Sequence, residues 1–151
     1  MKNCYYIAEI FLPNKSAYST HVIKMCNELS LKFSSTELLL FNINKNISFR
    51  TLKKNYILRG KKSFLMRNIF QNQNKINFLK RIIFGFKVAT YLKDKKKSFI
   101  ITRSLISSFF LSLFKISHST EIHNEIRELT KFLLINLNFI NSQYVEKVIF
   151  I

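Results

Sequence analysis

An α/β domain with a Rossmann-like parallel sheet and helices on both faces is what this chain predicts, and three observations predict it. The chain opens with an apolar run from Tyr5 to Phe11, a Pro-led loop from Leu12, a helical stripe from Ser19 and a second apolar run from Glu37 to Ile43. Both runs are nearly unbroken, as strands covered on two faces are, where a half-exposed strand would alternate. Strand-like and helix-like segments then keep alternating to Ile151, and successive parallel strands need helical crossovers between them.

Each element has its own local signal. Tyr5 to Phe11 is short, aromatic and β-branched, and Pro13 closes it. Val22, Cys26, Leu29 and Phe33 recur at spacings of four, three and four, one stripe of a helix whose N-cap is Ser19 or Thr20. Glu37 to Ile43 is the second strand, which makes a βαβ unit. From Asn44 to Lys75 basic and apolar residues mix without a period, and Gly60 is the one clear break. Ile76, Leu79, Ile83 and Phe86 mark a helix reaching Leu92, with Gly85 inside it. Ser98 to Thr102 is a third strand, Leu105 to Phe114 a helix, and Ile116 to Ile122 a more polar fourth strand. Glu125 to Leu137 is a helix with acids in its first turn, and Val145 to Ile151 a fifth strand.

The 151 residues suit one domain, residues 1–151, with no internal repeat or linker. Ending on a core strand is unusual, so the loop that should follow that strand is expected to be missing, and the domain truncated. The net charge of +17 is clustered: 16 of the 25 Lys and Arg lie between Lys45 and Lys97, where Asp94 is the sole acid. Part of that bias matches AT-rich codons, as do abundant Lys, Asn, Ile and Phe. The clustering itself invites an anionic partner. Cys4 and Cys26 are too few for a disulfide framework, and no Cys/His spacing resembles a metal site. A reducing, cytoplasmic setting is expected, with no cofactor and no metal. Glu9 interrupts the first apolar stretch, so it is not a signal peptide, and Phe99 to Ile116 falls short of a spanning helix.

Three loops follow predicted strands: Asn14 to Ser19, Thr102 to Ser104, and Glu121 to Asn124. In a parallel sheet they line one edge, the edge that binds ligands. They offer hydroxyls, helix N-termini, the Arg103 guanidinium and the His123 imidazole, a set suited to a phosphorylated or sugar-like ligand. Each group also has a plainer role open to it. Arg103 can pair with Glu121, Ser16 and Ser19 can be caps, His123 can be a hydrogen-bonded structural histidine, and Glu121 can hold its neighbouring loop.

The run Pro13-x-x-Ser16-Ala17-x-Ser19-x-His21-Val22-x-Lys24-Met25-Cys26 resembles the opening of the family 4 (group 1) glycosyltransferases, with its helix of the form H-V-x-K-M-C. Ile100 to Ser104 is similar to that family's I-x-T-R-S strand end, and Glu121-x-His123 to its E-x-H strand end. Order and spacing agree across nearly the whole chain. The resemblance implies half of a GT-B architecture, in which two Rossmann-like domains face a cleft. The amino-terminal one mainly receives the acceptor and the carboxyl-terminal one holds the nucleotide sugar. It implies that the loop of Asn14, Ser16 and Ser19 approaches the donor phosphates and acceptor and that Arg103 and His123 face the cleft, with Glu121 a further substrate-binding candidate. His123 is the catalytic candidate, through a polar contact to the transferred sugar or acceptor. The implied reaction moves a hexose, with retention, from a nucleotide diphosphate sugar to a glycan or lipid-linked acceptor.

Two departures qualify the carry-over. The loop Asn14-Lys15-Ser16-Ala17 has none of the glycines of many relatives, and the donor-side pair of Glu with seven residues between them is absent. Glu121 and Glu128 have six between. The donor domain is expected to be absent, and the acceptor half to be inactive without it. Lys45 to Lys97 fits attachment to an anionic membrane surface, with a peripheral location at the inner face. The other readings are a nucleic-acid-binding module using the same basic cluster, for which no binding motif is present, and a non-catalytic α/β domain.

Overall fold

A computed structural model of the chain describes residues 3–43, 48–58, 64–70, 76–95, 97–122 and 141–150. Six strands form one sheet: β1 (Asn3–Leu12), β2 (Ser35–Ile43), β3 (Leu65–Asn68), β4 (Phe99–Thr102), β5 (His118–Ile122) and β6 (Val145–Phe150). Their order is β3-β2-β1-β4-β5-β6, and every pairing is parallel. The described helices are α1 (Ala17–Lys32), α2 (Phe49–Asn55), α3 (Phe78–Leu92) and α4 (Leu105–Leu113). This is the Rossmann-like α/β fold expected. The predicted helix Glu125 to Leu137 lies outside the described residues.

The apolar runs are unbroken because both sheet faces are covered. Along β1, Cys4, Tyr6, Ala8, Ile10 and Leu12 enter one core with Val22, Ile23, Cys26 and Leu29 of α1. Tyr5 and Ile7 enter a second core with Phe84, Val88, Ala89 and Leu92 of α3 and Leu111 of α4. β2 divides in the same way, Leu38 and Leu40 to the first core and Leu39 and Phe41 to the second. The alternation of side chains along a strand therefore survives, sorted between two apolar surroundings. Phe41 stacks on Phe84 at 4.6 Å between ring centroids and on Phe70 at 5.1 Å.

β5 is polar yet buried along all five residues, and internal partners account for this. The Ser108 hydroxyl lies 2.7 Å from His118 Nε2 and 2.8 Å from Thr120 Oγ1. His118 Nδ1 lies 2.8 Å from the Ile116 carbonyl, which can only accept, so Nδ1 carries the proton and Nε2 accepts from Ser108. Burial pushes the imidazole pKa down, the bond to Ile116 opposing it.

Three sequence expectations change. Helix α1 starts at Ala17, because its N-cap is Ser16, three residues before Ser19: the Ser16 hydroxyl accepts the Ser19 N–H at 3.2 Å. The unassigned segment contains α2 and β3. Helix α2 buries Leu52 alone, and β3 is a four-residue edge strand, so neither carries enough periods to be read locally. Helix α3 forms as expected but turned over. Leu79, Ile83 and Phe86 face solvent, while Phe84, Gly85, Val88, Ala89 and Leu92 are buried. The small residue decides this. A Cβ on Gly85 would lie 2.8 Å from Phe110 Cδ2 and 3.2 Å from the Ile106 carbonyl oxygen, so only glycine lets α4 come this close.

Candidate functional site at the strand switch point

Strand order reverses about β1, whose neighbours are β2 and β4. The carboxyl ends of β1 and β4 therefore open the crevice where doubly wound sheets bind ligands. Two of the predicted loop sites, Asn14 to Ser19 and Thr102 to Ser104, reach this edge, Glu121 of the third lies on β5 beside it, and side chains tie them together.

In the loop after β1, Asn14 is held by Tyr56: the Tyr56 hydroxyl donates to the Asn14 carbonyl at 2.6 Å and accepts from its N–H at 3.1 Å. Asn14 Oδ1 accepts the Ser16 N–H at 2.9 Å. The Ser16 hydroxyl donates to Ser19 Oγ at 3.0 Å, and Ser19 is buried. The polar side chains of Asn14, Ser16 and Ser19 thus shape the turn and start the helix. The loop's outward donors are the first backbone N–H groups of α1, which no helix can satisfy from within.

Tyr18, in the first turn of α1, carries that loop to the next strand ends. Its ring lies 4.3 Å from the Arg103 guanidinium, just past β4. Arg103 Nε in turn lies 3.5 Å from Oε2 of Glu121 on β5, the two side chains being 2% and 1% exposed. The Tyr6 hydroxyl donates to the same carboxylate oxygen at 2.7 Å. Burial and the Glu121 charge push the Tyr6 phenol strongly up, so it stays a donor. Arg103 Nε and Nη1 are buried with no hydrogen-bond acceptor. The Arg103–Glu121 pair left open by the sequence is therefore formed, at ion-pair rather than hydrogen-bond geometry.

A second ion pair, unforeseen in the sequence, flanks Tyr18. Glu9 lies where β1 gains one residue against β2, between Ala8 and Phe11, and such bulges re-aim side chains. Its Oε2 accepts from Arg81 Nε of α3 at 2.5 Å, and its Oε1 accepts from the Ser104 hydroxyl at 2.5 Å. Ser104 is also the N-cap of α4, taking the Ser107 N–H at 3.0 Å. Tyr18 senses all four charges. Burial pushes its phenol up to about 12; Arg103 and Arg81 lower it, and Glu9 and Glu121 raise it. A lone acid inside an apolar run was the signal for Glu9. Nothing local marked Tyr6, Tyr18 or Arg81.

The arrangement is a polar floor of two acids, two guanidiniums and two neutral phenols, bordered by two helix N-termini. It favours a polar, hydroxyl- or phosphate-bearing ligand. His123 lies outside the described residues. Two surface hollows lie away from this edge: one of about 380 Å³ beside Lys24, Glu28 and Ile57, and one of about 660 Å³ at the amino ends of β1 and β4 beside Tyr5, Lys93 and Ser98.

No family model and no curated protein matches the chain. Two solved structures align with it, and both are of glycosyltransferases. The glycosyltransferase from Rickettsia africae ESF-5 aligns with a TM-score of 0.50 at 10% identity, over 99% of this chain and 42% of that one. The lipopolysaccharide outer core galactosyltransferase WaaB, in its apo form, aligns with a TM-score of 0.44 at 16% identity, over 80% of this chain and 32% of that one. The chain spans well under half the length of either neighbour. At these identities the likeness is one of fold.

Proposed function

We propose that the chain is the acceptor-side, amino-terminal domain of a family 4-like GT-B glycosyltransferase. In this reading it receives a glycan or lipid-linked acceptor, and a complementary donor domain supplies the nucleotide diphosphate sugar. The observation that supports it best is the Tyr18–Arg103–Glu121 chain of contacts, which draws the ends of β1, β4 and β5 into one floor at the switch point. The first two stretches that resemble the family, and Glu121 of the third, sit on that floor or lead directly from it.

Roles follow from which groups are already engaged. Asn14, Ser16 and Ser19 act through the loop they shape, presenting backbone N–H groups to sugar hydroxyls or donor phosphates. Arg103 and Glu121 hold Tyr18 over the floor, and Arg103 retains unspent donors for an anionic or hydroxyl oxygen. His123 follows β5 directly and would meet the transferred sugar or acceptor. In this reading the donor is held by the complementary domain, so the chain alone should not turn over.

The test is amide chemical-shift mapping with a panel of oligosaccharide and polyprenyl-phosphate-linked acceptors. Perturbations at Ser16 to Ser19 and Arg103 to Ile106 are expected with the acceptors. Perturbations confined to Lys93 to Ser98, or none with any acceptor, would overturn the reading.

A further inference from the structure

Helix α3 has two apolar faces, and the core uses one. At ~100° per residue, Leu79, Ile83 and Phe86 fall within an arc of about 60° opposite the buried Phe84 and Val88. They remain 63%, 37% and 50% exposed. The surface continues onto α4, because the Phe86 ring meets Phe110 at 5.9 Å and Phe114 at 5.8 Å, edge to face. Leu113, at the end of α4, is 62% exposed. A contiguous apolar face of this kind marks an interaction site, where scattered exposed residues would not.

The charges around this face select its occupant. Neither α3 nor α4 contains an acid, while Lys87 borders the stripe and Lys115 follows α4. Arg81 is engaged by Glu9 and adds nothing outward. A second copy would set these lysines against themselves, on a chain of net charge +17. An anionic bilayer satisfies both halves of the pattern: headgroup phosphates meet the ammonium groups, and the acyl boundary receives Leu79, Ile83, Phe86 and Leu113. Among the described residues no helix is long and apolar enough to cross a membrane, so the contact is interfacial.

We propose that the α3–α4 face, built on Leu79, Ile83, Phe86 and Leu113 with Lys87 and Lys115 beside them, docks on an anionic lipid surface. This stands apart from the sugar-transfer reading, since the face lies on the helical layer and not on the strand-end edge. Of the broad basic window of the sequence it keeps α3 alone, and it adds α4 and Lys115 from outside that window together with an apolar component.

The experiment is vesicle co-sedimentation of the chain with equimolar phosphatidylglycerol and phosphatidylcholine, against phosphatidylcholine alone. Binding is expected to the anionic vesicles only and to weaken with salt. Leu79→Ser with Leu113→Ser should weaken it about tenfold or more with an unchanged thermal melt, since both side chains are already largely in water. Lys87→Gln with Lys115→Gln should weaken it about twentyfold and flatten the salt dependence. Parent-like binding by the leucine variant would mean attraction by charge at some other surface, and would overturn the proposal. So would equal binding to neutral vesicles, no binding by the folded parent, or a dimer that the leucine variant loses.

Discussion

Glu9 Oε2 lies 2.5 Å from Arg81 Nε, joining the central strand to a helix 72 residues further along the chain. The same carboxylate holds the N-cap of α4, so one acid at a bulge sets the position of two helices beside the switch point. Glu9→Gln and Arg81→Gln should each destabilise the chain. A double-mutant cycle read by urea denaturation should give a coupling of about 1–2 kcal/mol, between an exposed pair and a fully buried one. Coupling near zero would mean that the pair does not hold α3 in place.

Two caps of the same residue type should differ in cost. Ser16→Ala removes the cap bond and the donor to Ser19 Oγ, a neutral partner at an exposed turn, and should cost about 1 kcal/mol. Ser104→Ala also removes the donor to Glu9, in a residue 2% exposed, and should cost about 2–3 kcal/mol. Equal losses in urea midpoints would contradict the assigned bond.

Gly85→Ala should destabilise the chain by about 1–2 kcal/mol, although alanine is the better helix former. The new Cβ would meet Phe110 and the Ile106 carbonyl. Adding Phe110→Leu should recover part of that loss, because it clears the nearer obstacle. A stabilised single variant would show that α4 moves aside freely.

Stability should fall as the solution becomes acidic, with His118 among the causes. Its pKa is lowered in the folded chain from the ordinary 6.5, so below that value the unfolded chain binds a proton that the folded one refuses. The stability it contributes is complete above 6.5 and is lost as pH falls through the folded value. Melting temperature against pH should drop through this window, and less steeply in His118→Phe. An identical slope in that variant would assign the effect to other groups.

The strands and helices that could be read locally were those with many residues in one period. Tyr5 to Phe11 and Glu37 to Ile43 are strands from their apolar runs alone, and Val22, Cys26 and Leu29 place the buried face of α1 correctly. Parallel pairing followed from the βαβ order, and with it the edge that carries Asn14, Ser16, Ser19, Arg103 and Glu121. By contrast, α2 and β3 bury too little to leave a pattern. On α3 two apolar stripes compete at the same period, so periodicity established a helix without choosing its inner face. The choice went to the stripe containing Gly85, through close contact with α4.

By itself, then, the sequence determined the α/β class, the strand-and-helix order, and which loops share the switch-point edge, since all three follow from the period and order of neighbouring residues. Tertiary structure alone decided that Glu9 would hold Arg81 and Ser104, that Tyr6 would reach Glu121 from 115 residues away, and that Tyr18 would cover Arg103. Such pairings arise only once strands distant in sequence lie side by side, and no local period records them.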